Sequence, residues 1–454
     1  MRKIIQYMMM ALIAVVLASC ANDISEESTP TVKSNIRFVV DDFPMFEKPS
    51  TRTIGEEDKG KTAWAVGDEI CVKLESKELG IQTATLKYNG VKFEIQDGNS
   101  LCYLEGEPVT AYAYYAPNRR WRNGSLDFKD IYGNPNGTAE FLEATCTVHY
   151  GDDNYVDISF ANATRNYSRL RIATIPKTEI KVDADNFAPT DNPNLLYMTY
   201  TLTSDEKGNA YLYGTFDNNS IVTVKYRGAS LATHKFSKKT ENAKSYALDA
   251  TVISANSAEE IKLAIEQEIA DGKTAIRLNI ASDAGDNEFK AIREAFKNVR
   301  ENGTIDLTLI GCKEIPADGL NDIKALKSIF LPDVTKIGMN ALSYCVNLQE
   351  ICAPNVSAID ERAFAGFIML TKVTLGELTD VRGEANSGGG IFDDDKRILI
   401  DLYLPKNQEV MKGEFDENSN QYIWKPTGES YFASLDYDNG IFLGYQFNSV
   451  KSWE

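Results

Sequence analysis

A period of 22 residues runs through the last third of the chain and constrains its fold more than any other feature. Leu326, Leu348 and Leu370 are one period apart, as are Ile329, Ile351 and Val373. The same spacing links Leu331, Ala353 and Leu375, then Val334, Val356 and Leu378, then Ile337, Ile359 and Val381. Ala341 pairs with Ala363 and Leu342 with Phe364. Leu307, Leu309, Ile315 and Leu320 form a weaker copy one period upstream. Downstream, Leu402-Tyr403-Leu404-Pro405 repeats Ile329-Phe330-Leu331-Pro332 after an insertion, since 402 − 373 = 29 rather than 22. A single repeat of this length cannot bury its apolar face, but stacked copies share one continuous core. The pattern therefore predicts a solenoid in which each column becomes a ladder of like side chains.

The run from Leu326 to Cys345 reads Leu-x-x-Ile-x-Leu-Pro-x-Val-x-x-Ile-Gly-x-x-Ala-Leu-x-x-Cys and resembles BspA-like leucine-rich repeats. The next copy departs at Ala353, Asp360 and Phe367 but keeps the period. The resemblance implies an α/β leucine-rich-repeat solenoid over residues 304–454, its last segment acting as a C-terminal cap. Ahead of it, Ser257-x-x-Glu260 has capping-box spacing and predicts a helix to about Asp271, stopped by Gly272. Thr274–Ile280 reads as a strand and Glu288–Glu301 as a second helix, so residues 253–303 are expected to form an α/β N-terminal cap.

Residues 31 to about 250 alternate with period two between turn signals, the pattern of antiparallel β-sandwiches. Ile36–Val40, Asp68–Leu74 and Val109–Tyr115 are expected strands. Leu86–Ile95 reads as a hairpin with a two-residue Asn89-Gly90 loop of type I′. A second series comprises Tyr155–Phe160, Ser168–Ile175, Leu195–Leu202, Ala210–Phe216 and Ile221–Tyr226. Two sandwiches of about 110 residues fit, at 36–150 and 151–252, the boundary falling near Tyr150–Asn154. Thr51-Arg52-Thr53 followed by Trp64-Ala65-Val66-Gly67-Asp68-Glu69-Ile70 resembles the opening of fimbrillin-like (type V pilin-related) lipoproteins. Ser168–Ile172 and Lys244–Leu248 are similar to strands of that family's second domain. The resemblance implies two transthyretin-like sandwiches. It also implies a protease site after Arg52, before Thr53, whose cleavage would release a strand and open a groove to a neighbouring subunit by β-augmentation.

Arg2 and Lys3, then an apolar stretch Met8–Leu17, read as an export signal covering residues 1–19. The stretch is far shorter than the roughly 20 residues needed to span a bilayer. Leu17-Ala18-Ser19-Cys20 looks like a bacterial lipobox, with cleavage between Ser19 and Cys20 and lipidation of Cys20. The anchor would be the only membrane attachment, through a polar tether at residues 20–35. Acidic residues after Cys20 resemble surface-export signals of some Gram-negative lipoproteins, so the expected location is the outer membrane, facing outward. Loss of the signal changes the formal charge from −18 to 46 − 66 = −20. Such an acidic chain is unsuited to nucleic acid, which requires basic surface. The other six cysteines show no Cys-x-x-Cys spacing and are expected to be free thiols.

No nucleophile–base pattern, zinc motif, phosphate loop or dinucleotide fingerprint occurs, and the chain has two histidines, so no enzyme and no cofactor is expected. Asp393-Asp394-Asp395 after Gly388-Gly389-Gly390 is a weak Ca²⁺ candidate, outweighed by its reading as an acidic insertion between repeats. Tyr112, Tyr114 and Tyr115 are candidates for sugar stacking but fit a strand alternating between core and surface. The expectation is a lipid-anchored, adhesin-like surface protein whose repeats bind a host or microbial surface protein. The alternatives are a glycan-binding lipoprotein of a nutrient-capture system, or a tip or anchor subunit of a fimbria.

Overall fold

The computed structural model describes residues 31–33, 36–47, 60–96, 101–117, 119–127, 136–151, 154–160, 165–190, 194, 197–299, 302–385, 389–392, 397–435 and 437–453. Ser19, Cys20, Arg52, Thr53 and Asp393, Asp394 and Asp395 lie outside these residues. The described part is mostly β, in several units.

The first unit packs two sheets. One has five strands in the order Leu142–Glu143, Val109–Tyr115, Glu69–Ser76, Gly80–Tyr88, Phe93–Ile95. The other has three, Thr145–His149, Tyr155–Ser159 and Arg37–Val40. Ile70, Val72, Leu74 and Leu86 from the first meet Val156, Ile158 and Phe38 from the second in one core. Trp64 sits at the rim of this core, edge-on to Phe43, Phe93, Tyr115 and Phe160 at 4.8–5.7 Å. Its indole N–H donates to the Asp41 carbonyl at 2.7 Å. The Gly67-Asp68 turn is held by the Asp68 carboxylate, which accepts from the Ala65 amide and pairs with Lys61.

Two expectations are corrected here. Tyr155–Ser159 was expected to open the second sandwich, but it belongs to the first, pairing antiparallel with Thr145–His149 and parallel with Arg37–Val40. Alternation shows only that Val156 and Ile158 need an apolar partner. Ile70, Val72 and Leu74 of the facing sheet supply it, and the edge of Arg37–Val40 supplies the backbone pairing across more than a hundred residues, so the boundary falls after Phe160, not at 150. The Asn89-Gly90 hairpin is likewise not type I′. Tyr88 pairs with Phe93, leaving a loop of residues 89–92. The Asn89 side chain accepts from the amides of Val91 and Lys92, both at 2.9 Å. Gly90 alone takes a positive φ, +102°, where type I′ would require one at Asn89 also.

The second unit packs two four-stranded sheets. Their orders are Phe187–Pro189, Asn209–Phe216, Ser168–Ala173, Ser245–Asp249, and Tyr197–Thr203, Glu179–Asp185, Ile221–Tyr226, Ala229–Lys235. The junction with the first unit is polar and buried. The Arg165 guanidinium lies 3.7 Å from the centre of the Phe46 ring, donates to the Pro44 carbonyl at 3.0 Å and pairs with Glu140. Glu47 adds backbone hydrogen bonds to Ala243 and Ser245.

The repeats form two ladders. Nine strands make the longer sheet: Ile253–Ser254, Ala275–Asn279, Ile305–Ile310, Leu326–Phe330, Glu350–Ala353, Lys372–Leu375, Arg397–Pro405, Tyr445–Trp453, Ile441–Phe442. All neighbours are parallel except the last pair. Ile276, Leu307, Ile329, Ile351, Val373, Leu402 and Val450 stand in register, one per strand. The insertion before Leu402 therefore leaves the ladder unbroken. In the shorter sheet Ile315, Ile337, Ile359 and Val381 stack in register before Trp424, from the antiparallel strand Gln421–Ser430. Leu326, Leu331, Val334, Leu348, Val356, Phe364, Leu370 and Leu375 are all buried between the ladders.

Helix α1, Ala258–Ala270, and helix α2, Asp286–Phe296, bury Ile261, Ile265, Phe289 and Ile292 in the same core, at the first end of the stack. Ser257 caps α1 by accepting from the Glu260 amide at 3.3 Å, while the Glu260 carboxylate reaches back to Asn256 rather than Ser257. Helix α2 ends at Phe296, before the expected Glu301, because Lys297 and Val299 bond back to Glu294 and Phe296 in tight turns. The repeats themselves depart from an α/β solenoid. Opposite the strands, residues 316–325, 338–347 and 360–369 form turns, not helices. Asp318, Asn340 and Arg362, one period apart, have φ of 57°, 53° and 56°. Asp322, Tyr344 and Gly366 repeat this at 55°, 60° and 75°. Two left-handed residues per repeat interrupt the right-handed helical ladder before it can propagate.

Candidate binding surface

In each strand of the long sheet the residues beside the buried ladder point outward. One outward column in register is Asp306, Ser328, Glu350, Lys372, Asp401, Ser449. The next is Arg277, Thr308, Phe330, Cys352, Thr374, Tyr403, Lys451. The second unit covers the first half of this face. The Arg277 guanidinium donates to the Leu231 carbonyl at 2.5 Å, and Thr308, Ser328 and Cys352 are buried at 3%, 5% and 7% exposure. The hairpin turn at Arg227-Gly228 reaches the repeats, with Arg227 paired to the buried Asp333 and Gly228 beside Pro354. Asp333 also accepts from the Gly311 amide at 2.9 Å, so one carboxylate ties the hairpin to the ladder turn.

The second half of the face is open and chemically dense. Tyr403 is flanked by two ammonium groups, Lys372 at 5.5 Å and Lys451 at 5.6 Å from its ring centre. Lys372 pairs with Glu350 at 2.8 Å. Partial burial works against its charge, but the Glu350 hydrogen bond and the Glu350 charge, with smaller help from Cys352 and Tyr403, together outweigh this and hold its pKa above the ordinary lysine value. Asp401 accepts from Ser449 at 2.7 Å and Asn448 at 2.6 Å and lies 3.6 Å from Lys451. The Ser449 and Asn448 hydrogen bonds, with Lys451 beside them, hold its carboxyl below the usual range. The result is an aromatic ring fixed in a lattice of charges, suited to recognition.

The other candidates disperse. Tyr115 is buried at 7% exposure, Tyr114 stacks on Phe141 at 5.9 Å, and Tyr112 lies under Lys73. They build the first unit's sheet and do not form a platform. Asp416 accepts from the Asn418 amide and the Ser419 hydroxyl and closes a hairpin turn. Among the described residues no group of three or more His, Cys, Asp or Glu side chains is placed to hold a metal. None of the six described cysteines is in a disulfide, and burial pushes Cys312, Cys345 and Cys352 up to about 12, far from a reactive thiolate. Sequence reasoning missed Tyr403, Lys372 and Lys451 as a group. The signal was available one position beyond the Ile329 ladder, at Phe330, Thr374 and Tyr403, but the seven-residue insertion and the long gap to Lys451 hide it.

Residues 287–388 match the family described as BspA type leucine rich repeat region, in 6 copies. No curated protein matches the chain. Among solved structures, the minor pilin GBS52 of Streptococcus agalactiae matches at 8% identity and a TM-score of 0.16, covering 48% of this chain and 95% of its own. A variant of the shaft pilin SpaA from Lactobacillus rhamnosus GG matches at 11% identity and a TM-score of 0.17, covering 49% and 98%.

Proposed function

We propose that this chain is a lipid-anchored, cell-surface binding protein of adhesin type, whose repeat sheet engages a protein partner through the open face around Tyr403. The observation that carries the reading is that face, on a BspA-type repeat region, with Tyr403 set between Lys372 and Lys451 beside Asp401. Binding hot spots favour such anchored aromatics, ringed by polar groups that exclude water. The two preceding β units act as a stalk and, on the resemblance of the Arg52 and Trp64 motifs, are fimbrillin-like sandwiches. Among the described residues no helix is long and apolar enough to cross a membrane. The proposed attachment is the acyl group on Cys20, at an outer membrane.

Probing the purified chain against an array of host extracellular proteins, alongside a glycan array, tests this reading. A saturable protein partner is expected, and Tyr403→Ala should weaken it by about 2 kcal/mol, roughly thirtyfold, without lowering the melting temperature. Glycan binding at Tyr403 with no protein partner would transfer the protein to the nutrient-capture class. N-terminal sequencing of the cell-associated protein tests anchor and processing together. A start at a lipidated Cys20 is expected for the anchored adhesin. A start at Thr53 identifies the Arg52 cleavage of a fimbrial subunit, and a start at Met1 rejects both.

A further inference from the structure

A second surface, adjoining the Tyr403 face, has the chemistry of a ligand site. Between the second β unit and the carboxyl ends of the parallel repeat strands lies an open groove of about 1350 Å³. Its charge runs against the rest of the molecule. In a chain of net charge −18, five cationic side chains line this groove against three carboxylates. Two of those carboxylates are already engaged, Asp183 by Lys225 at 2.6 Å and Asp333 by Arg227. Lys181, on the sandwich wall, and Lys313, on the repeat wall, are exposed and have no ion-pair partner among the described residues. Lys177 is engaged by Glu206 at 2.9 Å and exposed Glu179 shares the strand face of Lys181, so the groove keeps a small cationic excess drawn from both units, which favours a ligand carrying negative charge.

The remaining lining selects the kind of anion. Trp453 stands at one end of the groove, its indole N–H tied to the Leu375 carbonyl at 2.8 Å, which fixes the ring. Thr178, Thr335 and Asn355 add hydroxyl and amide groups. Ile180, Tyr226 and Pro332 add apolar surface among these groups. An aromatic face, polar hydrogen-bonding groups and spaced cations suit an acidic sugar chain, whose rings stack on aromatics while its anionic groups pair with lysines.

We propose that this groove binds an anionic polysaccharide, its carboxylate or sulfate groups pairing with Lys181 and Lys313 and a sugar ring stacking on Trp453. The groove adjoins the Tyr403 face at Trp453, two residues beyond Lys451 on the same strand, and Lys181 and Lys313 are the lining groups that belong to the groove alone. The test is titration of the full chain with oligosaccharides of hyaluronan and of chondroitin sulfate, with dextran and poly-L-glutamate as comparisons. Saturable binding of one or both anionic glycans is expected, weakening as salt rises. Hyaluronan alone would assign the groove to carboxylates, and chondroitin sulfate alone to sulfated chains. The double variant Lys181→Glu/Lys313→Glu should weaken binding about tenfold, since both side chains are exposed pairing groups. Trp453→Ala should weaken it by a similar factor. Lys412→Gln, on the exposed hairpin, should leave it unchanged. The proposal is overturned by absence of glycan binding, by unchanged affinity in the double variant, or by poly-L-glutamate binding as tightly as the glycans.

Discussion

Arg165→Met should destabilise the junction between the two β units by about 3–5 kcal/mol, the cost of stranding a buried charge. The Arg165 side chain has no solvent exposure and that of Glu140 is 9% exposed. With the guanidinium gone, Glu140 keeps the Tyr167 hydroxyl at 3.4 Å and the more distant charge of Lys61, and the Pro44 carbonyl loses its donor. Phe46 loses the cation over its face as well. Removing both charges, as in Arg165→Met/Glu140→Leu, should cost far less than the sum of the single changes, because no unpaired ion remains. Urea unfolding of the four proteins of that cycle measures the difference. A single-variant cost below about 1 kcal/mol would mean that the pair is effectively solvated.

The same variant has a pH signature. Burial pushes the Glu140 carboxyl up from its ordinary value, and the Arg165 charge opposes that shift. Without Arg165 the folded-state pKa rises further above the unfolded value. A carboxyl raised in this way contributes stability in its protonated form at low pH and loses it as pH rises through the folded pKa. The deficit of Arg165→Met relative to the parent should therefore shrink as the solution is acidified from neutrality. A deficit independent of pH would show that the loss is one of packing alone.

Ile351→Ala should cost about 2–5 kcal/mol, the range for deleting a fully buried aliphatic side chain where the surroundings cannot collapse. Ile351 has no solvent exposure and stands between Ile329 and Val373, which are equally buried. Backbone hydrogen bonds on both sides fix the strand spacing, so the neighbours cannot move in to fill the cavity. Stability in a stack depends on nearest-neighbour interfaces, so the lesion weakens the interfaces to both sides. Val450→Ala, in the same column but 8% exposed near the end of the sheet, should cost clearly less. Hydrogen exchange across the ladder distinguishes the two. Ile351→Ala should lower protection from Leu326–Phe330 through Lys372–Leu375, whereas Val450→Ala should affect only the last strands. Equal costs at both sites would contradict a nearest-neighbour stack.

Elements whose information is local and repeated were legible in the chain. The columns through Leu326, Ile329 and Ile337 became ladders because the same spacing recurs, and a register error would expose every apolar residue at once. Ser257 caps its helix as its spacing predicts, since a cap needs only a hydroxyl three residues from an amide. Misreadings arose where alternatives satisfied the same local pattern. Tyr155–Ser159 alternates correctly for either sandwich. Asn89-Gly90 fits a two-residue turn, yet the Asn89 side chain can accept two amides and hold a longer loop. A leucine-rich period is compatible with helices or turns opposite the strands, and left-handed Asn340 and Tyr344 decide for turns.

The candidate sites were far less legible. Tyr403 was visible only as part of a repeat, and nothing near it in sequence announces Lys451 as its neighbour. Arg165 and Glu140 are 25 positions apart with no shared motif, and Lys181 and Lys313 come from different units. The chain alone specified the period, the apolar ladders and the β-rich first half, because burial of regularly spaced apolar residues is enforced wherever they recur. Tertiary structure alone decided which half of the repeat face stays open, which charges are buried together and where a cationic groove forms on an acidic molecule. Those outcomes depend on how separate units dock, and docking is set by shape and charge contributed from distant parts of the chain, which no local periodicity encodes.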